Sequence, residues 1–408
     1  MSCRKQKRPQ LTVGPETARV LKLGHPWVLA DHFTRQWPEV ACGQLADLVD
    51  SDGKNLATAL LDPQTRIVAR VLSPSRVDLD VTFLRHRLDA AETARRWFDL
   101  GDTNAWRMIN AEGDGLPGLT IDRYGDFAVL QYFTAAWEMH LSQVAQALLE
   151  YDKELCGVYA KYRPQETRKL ATGGKKKPFS RLLAGREAPR DLTVKEYGLT
   201  FAVDLVNDLN TGIFPDQRQN RQMLRSRVAG CRFLNLFAYT GAFSVAAAAG
   251  GASRVTSVDV SSRYLEQARH NFQLNDIDPA DHEFVAGDCF AVLEGFARRN
   301  RQFDVVLMDP PSFSTTRRGK FKTGGGTADL VSNALALMAP GGLLITSSNL
   351  QKMALNDYLK ELRKGSQAAG KRLQILEVSG QAPDFPFQAG FPEGQYLKYV
   401  VSVVQEQF

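Results

Sequence analysis

Apolar and polar positions alternate in two different rhythms along the 408-residue chain. Between Leu11 and Ser73 the apolar runs are short and broken by turn residues. In LADLVDSDGKNLATALL two such runs flank an Asp-Gly pair, a hairpin signal because that pair accepts the positive φ of a tight turn. Residues 81–100 carry Leu84, Leu88, Ala91, Ala94, Arg95 and Phe98 at helical spacing, so a helix is predicted after the β-rich stretch. From about Trp106 to Val206, strand-like segments (FAVLQYF, CGVYAKY, LTFAVDL) surround one amphipathic helix near 137–150, the pattern of a small α+β region.

From about residue 208 the rhythm becomes regular. FLNLF, RVTSVDV, HEFVAG, FDVVLMD and GLLITSS read as buried strands, separated by helices through FSVAAAAG, YLEQARHNFQLN, AVLEGFARR and residues 327–338. Strands and helices in strict alternation imply a parallel sheet covered on both faces, so the fold class is α/β. The expected units are 1–78, β-rich; 79–206, α+β; and 207–408, the parallel-sheet domain. A chain of this length divides naturally among more than one core.

Composition narrows the function classes. No run approaches eighteen apolar residues and the basic start MSCRKQKRPQ has no apolar segment behind it, so a cytoplasmic protein with no membrane partner is expected. Five scattered cysteines (3, 42, 156, 231, 289) suit reduced thiols and no metal site. The net charge is only +6, yet residues 161–190 hold ten Lys or Arg against two acids, a loop including Lys175, Lys176 and Lys177. Such a concentration can neutralise nucleic-acid phosphates, or it can be a solvated surface loop; the two are compatible.

In an open parallel sheet the ligand lies beyond the carboxyl ends of the strands. The loop after the first strand runs Asn235-Leu236-Phe237-Ala238-Tyr239-Thr240-Gly241 and holds one glycine, not the three that let a dinucleotide pyrophosphate approach the backbone. Asp259, eighteen residues past Gly241 at the next strand end, can accept from both ribose hydroxyls, and Asp288 from an adenine amino group, although acids at strand ends also serve simply as helix caps. The fourth strand stops at Asp309-Pro310-Pro311, where two prolines stiffen the backbone beside a planar ligand.

NLFAYTGAFS, SVDVS, GDCF and DPPSFS resemble the adenosylmethionine-binding motifs of class I methyltransferases. LKLGHPWV at 21–28 is similar to the opening of a PUA RNA-binding domain. NAEGDGLPGLTIDRYGD (110–126), NTGIFPDQRQNR (210–221) and FPEGQYLK (391–398) resemble the bacterial 23S rRNA cytosine carbon-5 methyltransferases, over nearly the whole chain. The resemblance implies a PUA domain, a central α/β module and a Rossmann-like methyltransferase domain, with the NTGIFPDQR segment helping to wall the cofactor pocket; it implies S-adenosylmethionine as cofactor and 23S rRNA, or its precursor, as partner, and a homodimer stays open. It implies cofactor contacts from Phe214, Asp216, Gln217, Arg218, Asn235, Phe237, Tyr239, Thr240, Gly241, Asp259, Asp288, Cys289 and Asp309, and RNA contacts from His25, Trp27, the lysines 175–177, Arg317 and Arg318.

One departure bears on the chemistry. The family's nucleophilic cysteine follows the fifth strand, where this chain has Thr346-Ser347-Ser348-Asn349. Carbon-5 methylation needs a thiolate to activate the ring, and an unassisted serine hydroxyl is a poor substitute. Methylation of a nitrogen needs only alignment, so Asp309, Pro310, Pro311, Asn349 and Ser348 are the candidate catalytic residues for a nitrogen acceptor. Related guanine ring-nitrogen methyltransferases also carry asparagine after this strand. A non-catalytic RNA-binding protein that kept the fold is the alternative.

Overall fold

The computed structural model describes residues 8–163, 179–311, 313–316 and 319–406. The Asp-Gly signal is realised as a hairpin between strands Leu45–Val49 and Asn55–Leu61. Asp50 Oδ1 accepts from the amides of Asp52 and Lys54, and Gly53 adopts φ 77°. These strands belong to a five-stranded sheet that closes the N-terminal region around Leu48, Ala59 and Leu61.

A second sheet holds, in spatial order, Ser180–Gly185, Gly157–Tyr162, Phe127–Tyr132, Leu119–Tyr124 and Ala105–Asn110. Asp80 caps the helix Val81–Arg95 by accepting from Phe83 N, and that helix buries Leu84, Leu88 and Ala91 with Trp137 and Leu148 against one face. The opposite face, through Tyr124, Phe127 and Tyr159, shares a core with Phe201, Phe243 and Phe272 of the C-terminal half. The last five residues of the expected 81–100 helix unwind after Arg95, whose guanidinium is drawn inward to Asp114 and to the carbonyls of Arg107 and Asp384.

The C-terminal sheet has seven strands: β1 (Arg232–Leu236), β2 (Arg254–Asp259), β3 (Glu283–Ala286), β4 (Phe303–Met308), β5 (Met338–Ser348), β6 (Lys371–Ser379) and β7 (Lys398–Glu406). Their order is β3-β2-β1-β4-β5-β7-β6, with β7 antiparallel to both neighbours. Helices α1 (Arg218–Arg225), α2 (Ala242–Ala249), α3 (Ser262–Gln273), α4 (Cys289–Arg298), α5 (Thr323–Leu335) and α6 (Leu355–Ala368) accompany it. The chain starts at β1 and winds outward first one way and then the other, which leaves a crevice at the carboxyl ends of β1 and β4.

The segment between β6 and β7 ties this domain to the rest. Asp384 is buried and takes both terminal nitrogens of Arg218, at 3.1 and 2.6 Å, and the amide of Arg107 at 2.8 Å. Asn110 donates to the Pro386 carbonyl, which approaches Gly113 so closely that a Cβ there would stand 2.0 Å from its oxygen. Among the described residues no helix is long and apolar enough to cross a membrane.

Candidate active site

The loop leaving β1 is wound tightly. Phe237 (φ 62°) and Tyr239 (φ 51°) are left-handed non-glycine residues, a conformation that costs on the order of 1–3 kcal/mol each and persists where surroundings enforce it. Here they do: Ala238 N donates to Val258 O, Tyr239 N to Asp259 Oδ2, and Asn271 Nδ2 to Thr240 O, each at 2.9 Å. Gly241 has φ 78°, and a Cβ on it would meet Ala268 Cβ at 2.7 Å, so glycine is required where α2 begins against α3.

Beside this loop, at the carboxyl edge of the sheet, is a cavity of about 500 Å³. Its wall brings together twelve of the residues expected from the sequence: Phe214, Asp216, Gln217, Phe237, Tyr239, Asp259, Asp288, Cys289, Asp309, Pro310, Pro311 and Asn349. Asp259 is fixed by two amides, Tyr239 N on Oδ2 and Ser261 N on Oδ1, and keeps lone pairs on both oxygens for further donors. Asp288 both lines the cavity and caps α4, accepting from Phe290 N and Ala291 N. Asp309 Oδ2 accepts from Gln217 Nε2 at 3.2 Å.

The charges in the wall have a definite sign. Four aspartates (216, 259, 288, 309) face one arginine, Arg221, whose guanidinium is already engaged by both oxygens of Glu196. Burial pushes Asp309 up to about 6, helped by Asp216 and opposed by hydrogen bonds from Ser347 and Gln217. Burial raises Asp216 as well, against the pull of Tyr396, whose hydroxyl donates to Oδ2 at 2.6 Å. Asp216 Oδ1 is buried with no hydrogen-bond partner. Buried, uncompensated negative charge of this kind calls for a cation, and S-adenosylmethionine brings a sulfonium and an α-ammonium; a pyrophosphate would be repelled. The donor set therefore fits the cofactor that the motifs imply.

Cys289 is buried, and its thiol is pushed up to about 12 by burial and by the charges of Asp259 and Asp288. At neutral pH it is a neutral thiol rather than a nucleophilic thiolate.

Five residues expected to bind the cofactor or act in catalysis, and two expected to bind RNA, stand elsewhere. Ser348 is buried in β5, with its Oγ accepting from Leu350 N; the strand's alternation turns Asn349, and not Ser348, to the cavity. Arg218 is fully buried against Asp384. Asn235 lies inside β1 and donates to Ser244 Oγ at 2.9 Å; Thr240 donates to the Gly212 carbonyl; and Gly241 acts through its backbone at the start of α2. These three shape the wall from behind. His25 and Trp27 pack on Phe391 at ring distances of 5.3 and 4.7 Å, and Trp27 Nε1 donates to Glu112, which makes them a joint between regions of the chain. The lysines 175–177, Arg317 and Arg318 lie outside the described residues. No cluster of three or more His, Cys, Asp or Glu able to hold a metal occurs among the described residues.

The wall also contains Asn210, Gly212 and Ile213, from the NTGIFPDQR segment expected there, and Arg221, Val260, Tyr264 and Leu397, which were not expected individually. Asn210, Gly212, Ile213 and Arg221 fall within NTGIFPDQRQNR, Val260 within SVDVS and Leu397 within FPEGQYLK, so these motifs held the signal; Tyr264 reaches the site only through the fold.

Known proteins share this sequence and fold. The profile of the S-adenosylmethionine-dependent methyltransferases matches residues 146–392, and that of the PUA-like domain matches residues 11–74. The chain is 35% identical over 396 residues to "Ribosomal RNA large subunit methyltransferase I" of Klebsiella pneumoniae (strain 342), covering 96% of this chain and 97% of that protein. To the protein of the same name from Escherichia coli O139:H28 it is 36% identical over 381 residues, 92% and 94% of the two chains. Among solved structures it is similar to SMU.776 complexed with SAH, with a TM-score of 0.86 and 30% identity over 97% of this chain and 100% of that one. The chain belongs to the S-adenosylmethionine-dependent methyltransferase family, with a PUA-like domain ahead of the methyltransferase fold and S-adenosylmethionine as its cofactor.

Proposed function

We propose that the protein methylates a base of the large-subunit (23S) rRNA or its precursor, and that the acceptor is a nitrogen and not cytosine carbon 5. The relatives named as large-subunit rRNA methyltransferases support the substrate class. The observation that carries the choice of atom is that Asp309-Pro310-Pro311 and Asn349 line the wall, whereas Cys289, the single cysteine of the wall among the described residues, stands beside Asp259 and Asp288 as a neutral thiol. Asn349 can donate and accept, so it can read a base edge, while the Asp309 carboxylate and the proline carbonyls accept from the target's N–H groups. S-adenosylmethionine supplies an electrophilic methyl group. The chain's part is to hold the acceptor's lone pair in line with that methyl and to keep water out, a contribution from positioning alone.

In this reading residues 1–78 and 79–206 handle RNA and residues 207–408 hold the cofactor. Lys175, Lys176, Lys177, Arg317 and Arg318 contact phosphates, a sequence-independent attraction that falls with salt. Nucleoside mass spectrometry of rRNA from a strain lacking this gene, compared with its parent, tests the proposal. Loss of one N-methylated nucleoside is expected; loss of 5-methylcytidine, or of no modified nucleoside, would overturn it.

A further inference from the structure

Asp309 follows β4 on a backbone stiffened by two prolines, but its carboxylate is held from behind by residues far away in sequence. Gln217 Nε2 donates to Asp309 Oδ2 at 3.2 Å and to Ser347 Oγ at 3.0 Å, while Gln217 Oε1 accepts from Asn220 Nδ2 at 2.6 Å. Asn220 Nδ2 also donates to the Gly380 carbonyl at 3.2 Å, and its Oδ1 accepts from Ser379 Oγ at 2.8 Å. A carboxylate and a carbonyl only accept, so the donor direction along the chain is fixed from both ends. Gln217 is 3% exposed and Asn220 0%. A primary amide has two N–H groups, and both of Gln217's are engaged; although the residue lines the cavity, it has no donor left for cofactor or base.

We propose that Gln217 is a positioning residue for methyl transfer, which holds one oxygen of Asp309 and thereby aims the carboxylate at the acceptor nitrogen. The proposal rests on the reading of the protein as a base methyltransferase. A cofactor ligand at this position would need a free donor facing the cavity, and a purely structural amide would have no tie to Asp309. The hydrogen bond also acts on charge: it favours the ionised carboxylate, against the burial that raises Asp309. The other ionisable groups acting on Asp309 are Asp216 before α1, Arg221 on α1, Tyr358 on α6 and Tyr399 on β7. Replacing Gln217 removes none of them.

The test uses full-length protein and Gln217→Leu. Titration of Asp309, followed by 13C NMR of carboxyl-labelled aspartate with Asp309→Asn to assign the signal, should move upward by about one pH unit, the equivalent of one lost hydrogen bond to a charged group. In parallel, kcat for RNA methylation should fall roughly tenfold, the acid limb of its pH profile should move up with the titration, and the Kd for S-adenosylmethionine should stay constant. Asn220→Ser, which leaves Gln217 but loosens its anchor, should shift the titration the same way by less, and it stands in if Gln217→Leu fails to fold. A raised cofactor Kd with Asp309's titration unmoved would overturn the proposal and make Gln217 a cofactor ligand; an unmoved titration with unchanged kcat would also overturn it. The NMR readout needs no RNA, so a wild-type protein inactive on rRNA would contradict the substrate reading, and the tie to Asp309 would be decided separately.

Discussion

The two ends of the cavity beside the β1 loop hold their carboxylates by opposite means. At the end proposed for the nucleoside, Asp259 takes one backbone amide from the loop after β1 (Tyr239) and one from just past its own strand (Ser261), and Asp288 takes amides from the start of α4. At the end proposed for methyl transfer, Asp309 and Asp216 are half-buried, take side-chain donors from Gln217 and Tyr396, and are raised by desolvation. The first arrangement rests on backbone amides of adjacent strand-end loops and needs no side-chain partner. The second requires segments from positions 216 to 220, 347, 379 to 384 and 396 to be correctly packed. Binding the cofactor should therefore tolerate loosening of the tertiary structure better than the transfer step does.

The largest expected effect is on the scaffold behind the transfer end. Asp384→Leu leaves the fully buried Arg218 without its carboxylate, which should lower stability by about 3–5 kcal/mol in chemical denaturation. Adding Arg218→Met should recover most of the loss; if the single replacement leaves the denaturation midpoint in place, the transfer end does not depend on this anchor. Next comes Asp309→Ala, which removes the aimed carboxylate but no ribose contact. It should lower the methylation rate about a hundredfold with cofactor affinity unchanged, and Asn349→Ala should act in the same direction. Isothermal titration showing that Asp309→Ala weakens the cofactor as much as it slows transfer would erase the distinction between the ends. Third, Asp259→Ala should weaken S-adenosylmethionine by about 1.5–3 kcal/mol, roughly ten- to hundredfold in Kd, because ribose hydroxyls lose a charged acceptor. Unchanged affinity in a folded variant would remove Asp259 from the cofactor site.

The same contrast governs what the sequence could show. Alternating strands and helices after residue 208, the Asp-Gly hairpin, and the loops ending at Gly241, Asp259, Asp288 and Asp309 were legible because each is a local pattern with a local physical cause. The direction a strand-end side chain faces is not local: Ser348 and Asn349 are adjacent, and only the pairing of β5 with β4 and β7 sends Asn349 to the cavity. Arg218 sits inside a cofactor motif, yet Asp384, 166 positions later, draws it away. His25 and Trp27 carried the signature of an RNA-binding opening, and the packing on Phe391 that makes them a joint depends on a segment more than 360 residues downstream. Asp216's orphaned oxygen and its bond to Tyr396 likewise arise only when the 391–398 segment folds back.

The smallest expected effect belongs to the cysteine. Cys289→Ser should leave methyl transfer largely intact, since a thiol held at about 12 contributes no thiolate at neutral pH. The direct test of nitrogen chemistry without a covalent step is incubation of the protein with S-adenosylmethionine and 23S rRNA carrying 5-fluorocytosine, under conditions where unsubstituted RNA is methylated. The fluorine blocks the proton loss that frees a thiolate-bound cytosine, so a cysteine-dependent enzyme would be trapped on its RNA. The account predicts no denaturant-stable protein–RNA adduct. An adduct that forms with the wild-type protein and disappears with Cys289→Ser would contradict it and place carbon-5 chemistry on Cys289.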